Sequence, residues 1–196
     1  MKRKALFLLF YCSTLFAFSA NIYVTTNGDD ALDGTSWESS KFSIQAAIDA
    51  SSLGDTVFIA EGIYNQSIKV KDGVHLFGGY DASTGKRNCE VHSTILDGSG
   101  LEKAIINQTS TFKNITYFDG LILQNANHSS NGGAVILKSN GILNNCTISN
   151  CYTSGSGGAV YNSKGTIANC LIELCESMGA GGAVHNLGGT VENTII

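Results

Sequence analysis

One short phrase returns three times in the last third of the chain and limits the fold more than any other feature. Gly-Gly-Ala-Val begins at Gly132, Gly157 and Gly181, so its copies are 25 and 24 residues apart. A fixed period of this length indicates a solenoid, in which each unit buries its apolar face by stacking on its neighbours. Five further columns keep the spacing: Gly141, Gly165 and Gly189; Leu143, Ile167 and Val191; Asn145, Asn169 and Asn193; Cys146, Cys170 and Thr194; Ile148, Ile172 and Ile196.

The segments between the glycines favour strands over helices. Cys146 and Ile148, and again Cys170 and Ile172, keep the period of two that is typical of a strand. Glycine inside a helix costs about 1 kcal/mol, and Gly-Gly and Asn recur too often for a long helix. We therefore expect two or three short strands in each unit, paired in parallel with the next unit about 4.8 Å away. This is the coil of a parallel β-helix.

These phrases also resemble known protein families. The Gly-Gly-Ala-Val copies, with Asn-Cys-Thr-Ile-type strands between them, resemble right-handed parallel β-helix proteins of the pectate-lyase-like superfamily. The phrase itself is similar to the repeat of chlamydial polymorphic outer-membrane proteins, although the Phe-x-x-Asn half of that repeat is degraded here to Ile142-x-x-Asn145 and Thr166-x-x-Asn169. Segments such as Asp33–Trp37 and Ile44–Ile48 resemble the opening of large secreted bacterial β-helix proteins.

The resemblance implies an all-β protein, a right-handed parallel β-helix with coils of about 24–25 residues. It covers nearly all of residues 20–196. It says little about function, because this fold carries polysaccharide-cleaving enzymes as well as non-catalytic surface proteins.

Residues 1–19 have the pattern of a signal peptide. Lys2-Arg3-Lys4 is followed by an apolar run over residues 5–18, and the small residues Ala17 and Ser19 suit cleavage after Ser19. A membrane anchor is the alternative, but the run is shorter than the roughly 20 residues that a spanning helix needs. We therefore predict an exported protein.

Residues 43–53 have the pattern of a helix. Ser43 suits the N-cap position, Ile44, Ala47 and Ile48 share a face, and Gly54 suits the position after the helix. Because an open solenoid end exposes unpaired strand edges, we predict that this helix caps the N-terminal end.

The remaining elements are predicted as short strands around one long loop. Residues 80–92 break the strand rhythm, so we predict a loop that leaves the coil, in which Lys86, Arg87 and Glu90 form a solvated surface. The predicted strands cover residues 56–60, 67–70, 74–77, 94–96, 104–106, 112–115 and 121–123.

Charge and composition limit the class of partner. The net charge is −4, and only 14% of the residues are charged. A nucleic-acid-binding protein would show a basic patch, so we expect no nucleic-acid partner.

The one acidic cluster, residues 27–34, is open to two interpretations. Alternating oxygen ligands would suit calcium, but Ala31 occupies one of the ligand positions. Asx turns that lead into the next element are the simpler interpretation, which we favour.

Four cysteines form two columns with a spacing of 24 residues: Cys146 with Cys170, and Cys151 with Cys175. An exported protein favours disulfides. However, neighbouring parallel strands hold Cβ atoms about 4.8 Å apart, whereas a disulfide needs about 3.8 Å. We therefore predict stacked, reduced and buried thiols, and no histidine stands at the spacing of a zinc ligand.

The asparagine column Asn145, Asn169 and Asn193 is predicted to be a corner ladder, in which stacked amides bond from one coil to the next. A row that binds sugars is the alternative.

No catalytic, cofactor-binding or metal-binding residue can be assigned from the sequence. Glycoside hydrolysis needs two facing carboxylates, but Glu173, Glu176 and Glu192 do not form a column. The leading hypothesis is a non-catalytic exported or outer-membrane-surface protein of the adhesin or passenger kind, whose partner is an extracellular polysaccharide or a cell-surface glycan. A polysaccharide lyase or glycoside hydrolase with its active residues outside this sequence is the alternative, and a structural spacer is the third.

The sequence stops at Thr194-Ile195-Ile196, within a repeat. Solenoids normally end in an atypical, polar repeat. We therefore expect the β-helix domain, residues 20–196, to be incomplete at its C-terminal end, with outer-membrane association through the missing part. A second chain that stacks on this edge is the alternative.

Overall fold

The computed structural model of the chain describes residues 19–196, and within them it is nearly all β. It contains twenty short strands and one seven-residue helix in that range. The predicted signal peptide lies outside the described residues apart from Ser19, and it stays a prediction.

The elements follow one another in a regular order. The first half of the described chain contains β1 (Asn21–Val24), α1 (Ile44–Ala50), β2 (Thr56–Ala60), β3 (Gly62–Tyr64), β4 (Ile68–Lys69), β5 (His75–Tyr80), β6 (Thr94–Asp97), β7 (Ile106–Asn107), β8 (Thr116–Asp119), β9 (Ile122–Gln124) and β10 (Asn127–His128). The second half contains β11 (Val135–Lys138), β12 (Gly141–Asn144), β13 (Thr147–Ser149), β14 (Tyr152–Thr153), β15 (Val160–Ser163), β16 (Thr166–Ala168), β17 (Leu171–Glu173), β18 (Glu176–Ser177), β19 (Val184–Asn186) and β20 (Thr190–Glu192).

The strands form four parallel sheets that the chain visits in turn. Sheet A has the order β1-β2-β5-β8-β12-β16-β20, sheet B the order β3-β6-β9-β13-β17, and sheet C the order β4-β7-β11-β15-β19. The short sheet D consists of β10, β14 and β18. Each complete coil passes from sheet A to sheet B and then to sheet C, and the next coil stacks on it. From β10 onward, each coil also has a short strand in sheet D between sheets B and C. This is the parallel β-helix that the sequence predicts.

The register of the strands confirms the repeat period. Val135 pairs with Val160, and Val160 pairs with Val184. Leu143 pairs with Ile167 in the same way. The columns seen in the sequence are therefore columns in space, one coil apart.

The core lies between the sheets and is built by strand alternation. In sheet A from β1 to β16, every second residue points inward and is buried, and its neighbours point outward; in β20 the inward Val191 is 37% exposed. Stacking these inward residues removes a continuous apolar column from water, and that burial holds the coils together. The inward column of sheet A consists of Ile22, Val57, Leu76, Phe118, Leu143 and Ile167.

Helix α1 begins as predicted and ends earlier than predicted. The Ser43 side chain accepts a hydrogen bond from the Ala46 N–H, as an N-cap does. The helix ends at Ala50, because the buried Ser51 takes the C-cap position and donates its hydroxyl to the Ala47 carbonyl, 2.7 Å away. Gly54 does adopt a positive φ of 91°, but in the turn before β2 rather than directly after the helix.

The helix packs its apolar face on the first coils. Ile44, Ala47 and Ile48 are buried, and α1 lies against β1, β2 and β4. Its role as a cap of the solenoid stays a prediction.

Several parts of the predicted strand pattern differ from the structure. The predicted strand at residues 112–115 is wrong, and the strand of that coil is β8, which begins at Thr116. The Asp72 carboxylate accepts the N–H groups of Lys113 and Asn114 at 3.0 and 2.9 Å, so these donors are not available to a ladder. The strand predicted at residues 104–106 overlaps β7, Ile106–Asn107, only at Ile106, and the pattern also missed β1, β3 and β10.

The long loop is where the sequence places it. The chain leaves sheet A after Tyr80 and returns at Thr94.

Candidate binding face

The outer surface of sheet B carries one aliphatic residue on almost every coil. Alternation turns Tyr64, Leu96 and Leu123 inward, so the residue before each of them faces outward. We call this outward set the aliphatic column; it consists of Ile63, Ile95, Ile122, Thr147, Leu171 and Ile195.

The aliphatic column is long and partly exposed to solvent. At about 4.8 Å per coil, its five steps span about 24 Å. Ile63 and Ile195, at its two ends, are 64% and 70% exposed, and Leu171 is 37% exposed, whereas Ile95, Ile122 and Thr147 between them are partly buried. A solvated sheet face normally carries polar side chains, and a contiguous exposed apolar patch marks an interaction surface.

A polar column runs beside the aliphatic column along one side. Asp97, Gln124, Ser149 and Glu173 occupy the next outward position of each strand in sheet B. The Asp97 carboxylate accepts hydrogen bonds from the Gln124 and Asn125 side-chain amides at 2.9 and 3.0 Å. We call these four residues the polar column.

The predicted asparagine ladder forms the other side, at the corner between sheets A and B. Asn145, Asn169 and Asn193 all adopt left-handed φ values, between 47° and 53°. Asparagine tolerates this conformation better than most residues, which accounts for its place at each corner.

The hydrogen bonds of this corner differ from the prediction. The Asn169 amide does not bond to Asn145 below it; it donates to the Asn144 side-chain oxygen, 2.8 Å away. The left-handed corner lets the Asn169 side chain reach the outward row of sheet A. Asn169 is thus tied across the corner and not along its own column.

Arg87 corrects the prediction of a simply solvated loop. Its side chain is 30% exposed and forms an ion pair with Asp119, which also accepts a hydrogen bond from Asn144. Its Nε donates to the Gly78 carbonyl at 2.7 Å, and its guanidinium lies 5.2 Å from the centre of the Phe77 ring. Burial acts to lower the pKa of Arg87, but the bond to Asp119 raises it overall, so the guanidinium stays charged. The loop is therefore anchored on sheet A.

Two clefts lie one after the other along this corner. The first has a volume of about 510 Å³ and lies between the loop at Arg87–Glu90 and Ile122. The second, of about 390 Å³, reaches Leu171 and Ile195. Both clefts are lined by Asn145 and Thr147, so together they form one groove beside the aliphatic column.

The Asp97 carboxylate should make the free energy of unfolding depend on pH in the acidic range. Desolvation acts to raise its pKa, but hydrogen bonds from Ser99, Gln124 and Asn125 lower it to about 2. An unfolded aspartate titrates at about 3.9. The stabilisation is therefore complete above about pH 4 and is lost as the pH falls towards 2.

We expect Asp97→Asn to remove part of this acid dependence. Solvent screens a half-buried carboxylate, so the expected difference in unfolding free energy between pH 5 and pH 2 is about 1 kcal/mol. Urea titrations at both pH values measure it, with Glu173→Gln on the same column as the control. Equal acid dependence in wild type and Asp97→Asn would show that these bonds do not favour the charged form.

The cysteine columns lie inside the solenoid. Cys146, Cys151 and Cys170 are buried free thiols, and Cys175 is half-buried. The Cys146 and Cys170 thiols donate to the Asn144 and Ala168 carbonyls, each at 3.1 Å. Burial raises the pKa of the Cys146 thiol, which keeps it protonated. The reduced state in solution stays a prediction.

The acidic cluster at residues 27–34 builds turns. Asp29 accepts the Ala31 N–H and Asp33 accepts the Thr35 N–H, both at 2.9 Å, which are Asx turns. Asp30 accepts the N–H groups of Phe42 and Ser43 at 2.9 and 2.8 Å. These three carboxylates therefore hold this segment together.

The acids that were considered for catalysis stand apart. Glu173 lies on β17, Glu176 on β18 and Glu192 on β20, in three different sheets. In residues 19–196 no group of three or more acidic, histidine or cysteine side chains is placed to hold a metal ion. Among the same residues, no helix has the length and apolar character needed to cross a membrane.

Comparison with known proteins gives one match. A family model described as "Protein of unknown function (DUF1565)" matches residues 26–193, which is most of the chain. No curated protein and no solved structure matches it significantly. The match covers β2 to β20 and the loop, and it agrees with the parallel β-helix seen in the structure. The chain therefore belongs to the DUF1565 family.

Proposed function

We propose that this protein is a non-catalytic β-helix protein of the adhesin or passenger kind that binds an extended glycan along the outer face of sheet B. The observation that carries the proposal is the aliphatic column between two rows of polar side chains. A glycan chain has apolar C–H faces and hydroxyl edges. The C–H faces would pack on the aliphatic column, while the amides and carboxylates beside it would bond the hydroxyls.

The shape of the face supports a long ligand. The aliphatic column continues over six coils, and the groove at the corner follows it past at least three of them. A small molecule would need an enclosed pocket with few convergent polar groups, whereas this surface repeats similar groups at each step. Repetition suits a polymer whose own units repeat.

Export and display at the outer membrane are part of the same proposal. They rest on the signal-peptide pattern of residues 1–19 and on the resemblance of the Gly-Gly-Ala-Val phrase to chlamydial outer-membrane repeats. A surface protein with a binding face needs no catalytic group.

A panel of acidic and neutral glycans, with and without calcium, tests the proposal. We expect saturable binding without cleavage. Leu171→Asp should weaken it at least tenfold, because a charge replaces an apolar contact in the middle of the groove. Tyr117→Asp is the matched control, since Tyr117 is also 37% exposed but lies on sheet A.

Each outcome of the panel has one meaning. An unsaturated or reducing-end product would show a lyase or a hydrolase and contradict the proposal. Failure to bind any glycan would favour a structural spacer. Equal weakening by both variants would place the glycan away from sheet B.

A further inference from the structure

The first coil of the solenoid lacks a strand in sheet B. Sheet A begins with β1, whereas sheets B and C begin one coil later, with β3 and β4. Below β4 the missing strand is replaced by helix α1, since the Gln45 side chain bonds both the N–H and the C=O of Lys69, at 2.8 and 3.3 Å. Below β3, Thr26 lies against Gly62, but no residue in the described range 19–196 forms a hydrogen bond with the backbone of Ile63 from that side.

The free edge of β3 consists of the backbone of Ile63. The Gly62 N–H donates to the Ser93 carbonyl at 2.9 Å, which turns the backbone of Gly62 towards β6. Successive residues of a strand point their N–H and C=O groups to opposite sides. The N–H and C=O of Ile63 therefore face away from β6, and no residue in 19–196 forms a hydrogen bond with them on that side.

A cleft of about 720 Å³ lies beside β3. Ile63 and Phe42 line it with side chains that are 64% and 52% exposed. Thr26, Asp30 and Lys103 are also part of its lining. The Asp30 carboxylate is already bonded to Phe42 and Ser43, so it forms part of the wall. Lys103 makes no ion pair with any residue of the described range.

We propose that this cleft binds an extended peptide segment of a partner protein by strand addition to β3. The backbone of the peptide would pair with the N–H and C=O of Ile63 and so supply the strand that the first coil lacks. An apolar side chain of the peptide would pack on Phe42, and an acidic group would face Lys103. A peptide fits better than a glycan here, because the unpaired groups are a backbone donor and acceptor at strand spacing. The site adjoins the proposed glycan face and shares the Ile63 side chain with it, but it uses the backbone edge of β3 rather than the outer face of sheet B.

Hydrogen exchange at the Ile63 amide tests the pairing directly. The probe is the hexapeptide Ser-Thr-Ile-Leu-Asp-Gly, the sequence of residues 93–98, because that segment already pairs with β3 on its other side. We expect a saturating concentration to slow exchange of the Ile63 amide at least tenfold. The same peptide with its Ile and Leu amides N-methylated should give no protection. Unchanged exchange with the hexapeptide, or equal protection by the methylated peptide or by a glycan, would overturn the proposal.

Two substitutions at one position separate backbone pairing from side-chain packing. Ile63→Pro removes the free N–H but no bond to β6, and an edge strand tolerates proline at such a position. Ile63→Ala removes the side chain and keeps the N–H. We expect at least tenfold weaker peptide binding for Ile63→Pro and less than threefold for Ile63→Ala, with the thermal midpoint reporting folding. Equal weakening would overturn the proposal, and if Ile63→Pro fails to fold, the exchange experiment decides.

Discussion

Gly133→Ala and Gly158→Ala should each destabilise the solenoid strongly. A Cβ at Gly158 would lie less than 3.0 Å from the carbonyl oxygens of Gly182 and Glu176, which belong to the next coil. A Cβ at Gly133 would meet the carbonyl oxygens of Gly158 and Tyr152 in the same way. Backbone atoms cannot move aside as a flexible side chain can, so the coils would have to separate.

The third copy of the phrase supplies the matched control. A Cβ at Gly182 meets nothing within 4 Å, and none of Gly133, Gly158 and Gly182 has a positive φ. Overpacking of this kind costs about 3 kcal/mol, or a fall of roughly 6–12 °C in thermal midpoint for a domain of this size. Gly182→Ala should change stability by less than about 0.5 kcal/mol.

Thermal unfolding followed by circular dichroism measures these differences. Equal midpoints for Gly158→Ala and Gly182→Ala would mean that the coils do not approach each other at Gly-Gly as the structure shows.

The repeat made most of the fold predictable, because each column of the sequence became a column of the sheets. Val135, Val160 and Val184 stack, as their spacing requires. The physical reason is that a solenoid coil contacts mainly its neighbours. A fixed spacing along the chain is then also a fixed position in space.

The aliphatic column could not be read from the period alone. Its first members, Ile63, Ile95 and Ile122, are 32 and 27 residues apart, because the loop after Tyr80 and the turns of the early coils vary in length. Only the register of the strands aligns them with Thr147 and Leu171. The one available signal was the strand alternation around each of them, which does not say which strands stack.

The anchoring role of Arg87 was missed for a similar reason. Its partner Asp119 is 32 residues away, and the prediction placed the neighbouring strand at residues 112–115, before Asp119. The missed strand β3 had a further consequence, since its free edge forms the cleft proposed to bind a peptide. Irregular coils carry the specific contacts, and their contacts do not follow the period.

Phe118→Ala should produce the largest loss of stability among single substitutions in the core. Phe118 lies in the inward column of sheet A, where β8 pairs with β5 and β12, and its side chain is fully buried. Truncation removes apolar contacts and leaves a cavity that stacked coils cannot close, at a cost of about 3–5 kcal/mol. We expect a correspondingly lower urea midpoint.

The neighbouring residue tests whether this loss depends on the direction of the side chain. Tyr117 is of similar size and stands on the same strand, but it points outward and is 37% exposed. Tyr117→Ala should therefore cost about 1 kcal/mol or less. Urea unfolding distinguishes the two if the slope of the transition stays constant, because a changed slope would indicate a different unfolded or native state. If Tyr117→Ala proved as costly as Phe118→Ala, the inward and outward residues of β8 would be exchanged. That would require β8 to be shifted by one residue in its pairing with β5 and β12.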